Sequence, residues 1–317
     1  MPGVPLFLVG SGFIGGSILT ALIQGGKHEI AVLCRDEKKA ETLKGLGVRP
    51  VMGTLDSEDV IAKETANSDV IIHAATADDQ PSVKAILKGL AQRSSSKPPA
   101  IYIHTSGTGI LTVPDHPPSI IFSDKNPKQF DELVPDEAPH RDVDLLIKDA
   151  VEKKALNAKI TIILPPLIYG RGSGPFNKIS IQIPGWIKES IREKRVINHG
   201  PEKFWNNISI KNLVPGYLTL LAHMEKTQEP PLYVFCETGY HQWGPAGEHL
   251  DKLLKARGLV SQDLTVDPNP SMETACGTMS RSKAELLREW GWEAHDTQTL
   301  EQSMEEDLDF MLAEKMI

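Results

Sequence analysis

The chain has 317 residues, 40% of them hydrophobic and 24% charged, and a formal net charge of −8. That is the composition of an ordinary soluble globular protein, and an acidic balance without a lysine- and arginine-rich run argues against a nucleic-acid partner. No apolar run is long enough to span a bilayer, and the first residues lack the basic start and long apolar stretch of a signal peptide, so no membrane partner is expected. The length favours a large α/β domain with a smaller annex, or two domains. Cys34, Cys236 and Cys276 are odd in number, far apart and without metal-ligand spacing. No metal site is expected, and a reducing cytoplasm suits such thiols.

Taken in order, the chain opens on the apolar strand Leu6-Phe7-Leu8-Val9, runs into Gly10-Ser11-Gly12-Phe13-Ile14-Gly15, and continues into a helical pattern of Ile18, Leu19, Leu22 and Ile23. Strand, glycine turn and helix in this order are the context a dinucleotide site requires. Gly10 permits the tight turn, Gly12 lets backbone amides approach a pyrophosphate, and Gly15 lets the helix pack on the sheet. The unpaired amides and positive dipole end of the helix then face the phosphates. All six residues from Gly10 to Gly15 are therefore candidate cofactor contacts.

A second buried strand covers Glu29–Arg35. The residue closing it meets the adenosine ribose, where a carboxylate suits NAD and an arginine suits the 2′-phosphate of NADP. Arg35, with Lys38 and Lys39 behind it, favours NADP, and Asp36 keeps NAD open as the alternative. Helical spacing over Glu37–Leu46, a short strand over Val48–Met52 and a helix over Asp56–Asn67, capped by Asp56 or Ser57, follow. The fourth strand, Asp69–Thr76, ends in Ala74, Ala75 and Thr76, small residues that let a cofactor lie against the sheet edge. His73, inside that apolar run, reads as a packed strand residue. After a helix over Pro81–Ala91, the strand Ala100–His104 delivers Thr105-Ser106-Gly107-Thr108-Gly109 to the same edge, and its hydroxyls can donate to a substrate oxygen.

The connection from Gly109 to Pro139 carries Pro114, Pro117, Pro118, Pro127 and Pro135 and little periodicity, and a connection of this length suggests a cover for the substrate. A polar helix start, His140-Arg141-Asp142-Val143-Asp144, leads through Leu145-Leu146-Ile147 to Lys148, and a sixth strand covers Ile160–Ile163. The glycine- and proline-rich stretch Arg171–Trp186 is expected to wrap the pocket. Helices over Trp186–Lys194, Leu213–His223, Gly247–Ala256 and Lys283–Glu289, and a strand over Leu232–Cys236, complete the pattern. Arg171 and Arg281 read as surface cations rather than pocket anion contacts.

These motifs, in this order, resemble those of the extended or atypical short-chain dehydrogenase/reductases, the superfamily of the NAD-dependent epimerases and dehydratases. The resemblance rests on the Gly10–Gly15 loop, Val70-Ile71-Ile72-His73-Ala74-Ala75, Thr105-Ser106-Gly107-Thr108, Leu164-Pro165-Pro166-Leu167-Ile168-Tyr169-Gly170, Asn207–Leu213 and Ser280–Trp292. It implies an α/β fold, a doubly wound parallel Rossmann sheet with a small C-terminal α/β substrate domain. The division expected is residues 1–165 for NAD(P) and 166–317 mainly for substrate, with elements after residue 200 free to return to the sheet. It also implies that Ser106 takes the catalytic serine place and that Pro165 lies beside the nicotinamide.

The departure lies in the helix where that family carries Tyr-x-x-x-Lys. With Lys148 in the lysine place, holding the nicotinamide ribose, Asp144 stands where the tyrosine would, either as an i,i+4 ion pair with Lys148 or on one face with His140. The proton donor is then open among His140, Tyr169 and water. The expectation is a cytoplasmic NADP(H)-dependent oxidoreductase for a small carbonyl or sugar-like alcohol. A regulator that binds NADP without chemistry, and an NAD-dependent epimerase or dehydratase, are the alternatives. A homodimer through flanking helices such as that of Leu145–Ile147 would follow the family's habit.

Overall fold

The computed structural model describes residues 3–112 and 120–317. Pro114, Pro117 and Pro118 of the connection read as a substrate cover lie outside the described residues. The first half alternates strand and helix: β1 (Val4–Val9), α1 (Phe13–Gly25), β2 (His28–Cys34), α2 (Glu37–Gly45), β3 (Arg49–Met52), α3 (Glu58–Asn67), β4 (Val70–His73), α4 (Gln80–Gln92) and β5 (Ala100–Thr105). A 3₁₀ turn at Thr108–Leu111, β6 (Phe122–Ser123), α5 (Pro127–Leu133), α6 (Arg141–Glu152), β7 (Ala158–Leu164) and β8 (Leu167–Tyr169) carry the chain out of it. The remainder is α7 (Gln182–Glu193), β9 (Ile197–His199), β10 (Phe204–Ser209), α8 (Ile210–Lys226), β11 (Tyr233–Phe235), β12 (Gly239–Gln242), α9 (Trp243–Ala256), β13 (Thr265–Asp267), β14 (Ser282–Lys283), α10 (Glu285–Glu289) and α11 (Leu300–Ala313).

Seven strands form one sheet in the order β11-β7-β5-β4-β1-β2-β3, and every pairing in it is parallel. A parallel sheet covered on both faces demands continuous apolar strands, and Phe7, Leu8, Val9, Ile71, Tyr102, Ile103, Ile162 and Ile163 are all buried in it. The order reverses between β1 and β4, so the crevice at their carboxyl ends is where a doubly wound sheet takes its ligand. Register brings the loops together there. Val9 pairs with His73, His73 with His104 and Thr105 with Ile163, which sets Gly10, Ala74, Ser106 and Leu164 side by side at one edge.

The second half does not simply follow the first. β11 joins the edge of the sheet beside β7, and α8 packs on α1, so both return to the nucleotide half from beyond residue 200. A second core, separate from the sheet's, gathers Trp186, Trp205 and Trp243 with Leu250, Leu300, Met304 and Leu308. Trp243 sits edge-on to Trp186 at 5.8 Å and to Trp205 at 5.9 Å between ring centroids. Beside it, β8, β10 and β12 make a small mixed sheet.

Two helices escaped the sequence reading. α5 sits in the connection read as aperiodic; it is short, but Pro127 opens its first turn and the Asn126 side chain accepts from the Gln129 amide. α11 closes the chain with a capping box, Thr299 Oγ1 accepting from the Gln302 amide at 3.2 Å while Gln302 Oε1 accepts from the Thr299 amide at 3.0 Å. Thr299→Ala removes one half of that exchange at an exposed position, and the expected cost is about 1 kcal/mol in urea unfolding. No helix among the described residues is long and apolar enough to cross a membrane.

Candidate active site

The glycine loop has the shape the spacing called for. Gly10 lies at φ +99°, and a Cβ there would stand 2.5 Å from the Ala75 backbone, while one on Gly15 would stand 1.9 Å from the Gly10 carbonyl oxygen. Nothing lies within 4 Å of a Cβ on Gly12, which is exposed toward open space. Gly12 is the N-cap of α1, and neither a capping side chain nor an acidic residue occupies the first turn, so the amides at that end are left for an anion.

A cleft of about 720 Å³ extends from this loop across the sheet edge. Gly12, Phe13 and Ile14 line it at one end, Ala74, Ala75, Thr76 and Asp78 along the β4 edge, and Ser106 to Gly109 with Pro165 beyond. Two backbone bonds fix the last group, Ser106 N donating to the Ile163 carbonyl and Thr108 N to the Pro165 carbonyl, both at 3.0 Å. The far end is closed by Ser180, Ile181, Trp205 and Glu273 to Ala275 from the second half. Asp78, His140 and Glu273 are the titratable residues lining it, and no lysine or arginine does so among the described residues.

His140 enters by an unusual backbone. It precedes α6 at φ 69°, in the left-handed region, so its ring leaves the helix axis and packs over Gly107 and Gly109. Its Nδ1 lies 2.5 Å from Asp78 Oδ1. A carboxylate on Nδ1 fixes the tautomer and leaves Nε2 as the working atom.

One turn into α6, Asp144 is fully buried, and its Oδ2 lies 3.0 Å from Ser106 Oγ. Burial, with no countercharge in contact among the described residues, pushes its carboxyl up to about 8. Behind it, His104 stacks on His73 at 5.1 Å, His73 Nε2 meets Ser82 Oγ at 3.1 Å, and Tyr102 Oη meets His104 Nδ1 at 3.2 Å. Burial holds His73 down to about 4 and His104 well below its ordinary value, so both rings are neutral packing groups.

Two expected roles do not coincide with their residues' positions. Lys148 is outside the cleft lining, its Nζ 2.8 Å from Asp131 Oδ2 and 3.8 Å from Glu152, and it makes no pair with Asp144. Asp144 turns its carboxyl to Ser106, while Lys148, one turn further along α6, extends to Asp131 of α5, which Arg141 also meets. Tyr169 also faces elsewhere, donating to the Gln298 carbonyl at 2.8 Å. Arg35 is exposed at the end of β2 and makes no ion pair among the described residues, and neighbouring Asp36 caps α2, accepting from the Lys39 amide at 2.8 Å. The Lys39 ammonium lies 5.1 Å from the Phe176 ring. Arg171 stacks on Phe310 and donates to the Glu306 carbonyl, away from the cleft.

Residues 10–155 match the family described as NAD(P)H-binding. The chain has the Rossmann fold, and the NAD(P)H-binding match lies within its first half. Across nearly its whole length this Rossmann protein has the fold of the UDP-glucose 4-epimerase of Thermotoga maritima, with a TM-score of 0.70 at 14% identity over 98% of this chain and 100% of that one. The UDP-glucuronic acid 4-epimerase of Bacillus cereus, in complex with NAD, superposes with a TM-score of 0.66 at 16% identity over 97% and 96%. In sequence it is 28% identical to the oxidase ucsJ of Acremonium sp over 284 residues, 80% of each chain.

The Rossmann protein's residues fit a nicotinamide dinucleotide: the Gly10–Gly15 cradle has no room for side chains beneath it and open space above Gly12. Asp78, Trp205 and Glu273 were not foreseen as site residues, whereas Ser180 lies in the Arg171–Trp186 stretch expected to wrap the pocket. Asp78 had a signal, since it follows Thr76 by two at the same sheet edge, whereas Trp205 and Glu273 arrive from the second half through packing that no local pattern announces.

Proposed function

We propose that the chain uses NADP(H) to reduce a neutral, largely apolar carbonyl compound, or to oxidise the corresponding alcohol. The observation that carries this reading is the joining, in one cleft continuous with the glycine loop, of a serine hydroxyl, a carboxylate-oriented histidine and no cationic side chain among the described residues. A nucleoside diphosphate sugar would bring charges that such a lining leaves unpaired, which costs binding free energy. Instead Thr108, Ser180 and Trp205 line the cleft with neutral polar side chains, which suit neutral oxygens of a substrate. The His140–Asp78 pair beside Ser106 also favours chemistry over a binding-only regulator.

When bound, the nicotinamide supplies or takes up a hydride. Ser106 donates to the carbonyl oxygen and holds it, and His140, as an imidazolium whose Nδ1–H is held by Asp78, delivers its Nε2 proton as the oxygen gains charge and is left as the Nδ1–H tautomer. Arg35, with Asp36 occupied as a helix cap, meets the 2′-phosphate.

The test is calorimetric titration of the cofactor-stripped chain with NADPH and NADH, followed by turnover of a panel of neutral ketones and aldehydes beside UDP-sugars. NADPH is expected to bind more tightly, and Arg35→Ala to weaken it about 10- to 100-fold while leaving NADH almost unmoved, the loss of one or two charge-assisted bonds. Turnover of UDP-sugars without net cofactor consumption would overturn the reading in favour of epimerisation.

A further inference from the structure

Ser106 carries a single hydrogen, and what it can do in the cleft depends on where that hydrogen points. Asp144 is its buried partner, 3.0 Å away, and the second carboxyl oxygen, Oδ1, has no partner among the described residues. The groups around Asp144 offer no pairing cation. Arg141 on the same helix is committed to Asp131 at 2.9 Å and to Tyr233 Oη at 3.1 Å. Asp142 and His140 beside it, Asp78 ahead of α4, Tyr102 on β5 and Tyr233 on β11 complete the titratable surroundings, and of these Asp78 and Asp142 oppose a second negative charge. Ionised, Asp144 only accepts, and the serine hydrogen is spent on it. Protonated, it donates to Ser106 Oγ and the serine hydrogen is released toward the cleft.

We propose that Asp144 is a positioning residue acting through Ser106: as a neutral acid it turns the serine hydroxyl into a donor for a substrate carbonyl, and as a carboxylate it turns the serine into an acceptor for a substrate alcohol. How effectively Ser106 assists each half of the redox reaction thereby depends on the proton on Asp144. This rests on the oxidoreductase reading above for its substrate, though not for the proton itself. Burial raises the Asp144 carboxyl from 3.8 to about 8, so near pH 7 the neutral acid and the donor serine prevail.

The experiment is infrared difference spectroscopy of the full, cofactor-free chain against Asp144→Asn, from pH 5 to pH 9. A protonated carboxyl band present at pH 6, absent from the variant and lost as pH rises through about 8, is expected. Ser106→Ala, which removes the hydrogen bond that favours the carboxylate, moves that loss to higher pH. In unfolding, the folded chain holds a proton that the unfolded aspartate gives up near 3.8; the stability it confers is complete below that pH and declines as pH rises through about 8, a decline missing from Asp144→Asn. With a turned-over substrate, the rate of carbonyl reduction falls as pH rises through about 8 in the parent chain, while in Asp144→Asn, whose amide donates at every pH, that fall is absent. No band at pH 6, or a band indifferent to Ser106→Ala, overturns the proposal. A chain with the band and its serine response that turns over no carbonyl overturns the oxidoreductase reading alone.

Discussion

Ser106→Ala is expected to lower kcat about 10²- to 10³-fold with little change in cofactor affinity, as removal of one preorganised donor to a developing oxyanion does. The serine hydroxyl is held from below by Asp144 and its own backbone by the Ile163 carbonyl, so it needs no rearrangement when charge develops on the substrate oxygen. Loss of the hydroxyl also leaves the Asp144 carboxyl without its hydrogen-bond partner, and a drop in stability of about 1–3 kcal/mol should accompany the loss of rate. Single-turnover kinetics with NADPH and thermal unfolding of the same variant check both at once. An unchanged rate would remove Ser106 from the chemistry and leave it as the cap of a buried carboxyl.

The second large effect is expected in the glycine loop, where two neighbouring glycines should fail differently. Gly15→Ala places a methyl 1.9 Å from the Gly10 carbonyl oxygen, so the loop must shift before the helix can sit on the sheet, and both stability and cofactor binding fall. Gly12→Ala meets nothing within 4 Å in the protein, so its unfolding should lose only the N-cap preference for glycine, about 1 kcal/mol. Its methyl nevertheless stands in the space through which a pyrophosphate reaches the α1 amides, and NADPH affinity is expected to fall about 10- to 100-fold, the loss of one or two charge-assisted bonds. Calorimetry and urea unfolding on the pair separate the two causes. Equal affinity in Gly12→Ala and parent would move the phosphates off this helix.

What could be read from residues alone was whatever the chain determines locally. The first five strands and the helices between them announce themselves because a parallel sheet needs unbroken apolar runs, and the Gly10–Gly15 spacing has one physical use at a strand-to-helix turn. The place of Ser106 was legible for the same reason, three residues beyond Ile103, the last apolar residue of β5, at an edge where ligands sit. The helix of Asp144 and Lys148 was misread because i,i+4 spacing says which residues share a face and not which face is inward. The partners came from elsewhere: Ser106 meets Asp144, and Lys148 is taken by Asp131 on α5, a helix hidden in a proline-rich stretch. Trp205, from the second core, and Glu273 reach the cleft from the second half, and contacts between sequence-distant elements leave no periodic trace.

The path of the chain after residue 165 has a consequence for how the molecule moves. Because β11 completes the sheet beside β7 and α8 covers α1, the substrate-side elements are threaded through the nucleotide half rather than hung from it by one linker. A fragment ending at residue 165 would expose the free edge of β7 and the apolar flank of α1, so it should precipitate instead of behaving as an autonomous fold. Several crossings also act as parallel struts, which restrain rigid-body swinging of one half against the other. Ligand exchange then depends on small local adjustments around the rim, and pulling or protease digestion should unravel both halves in a single step.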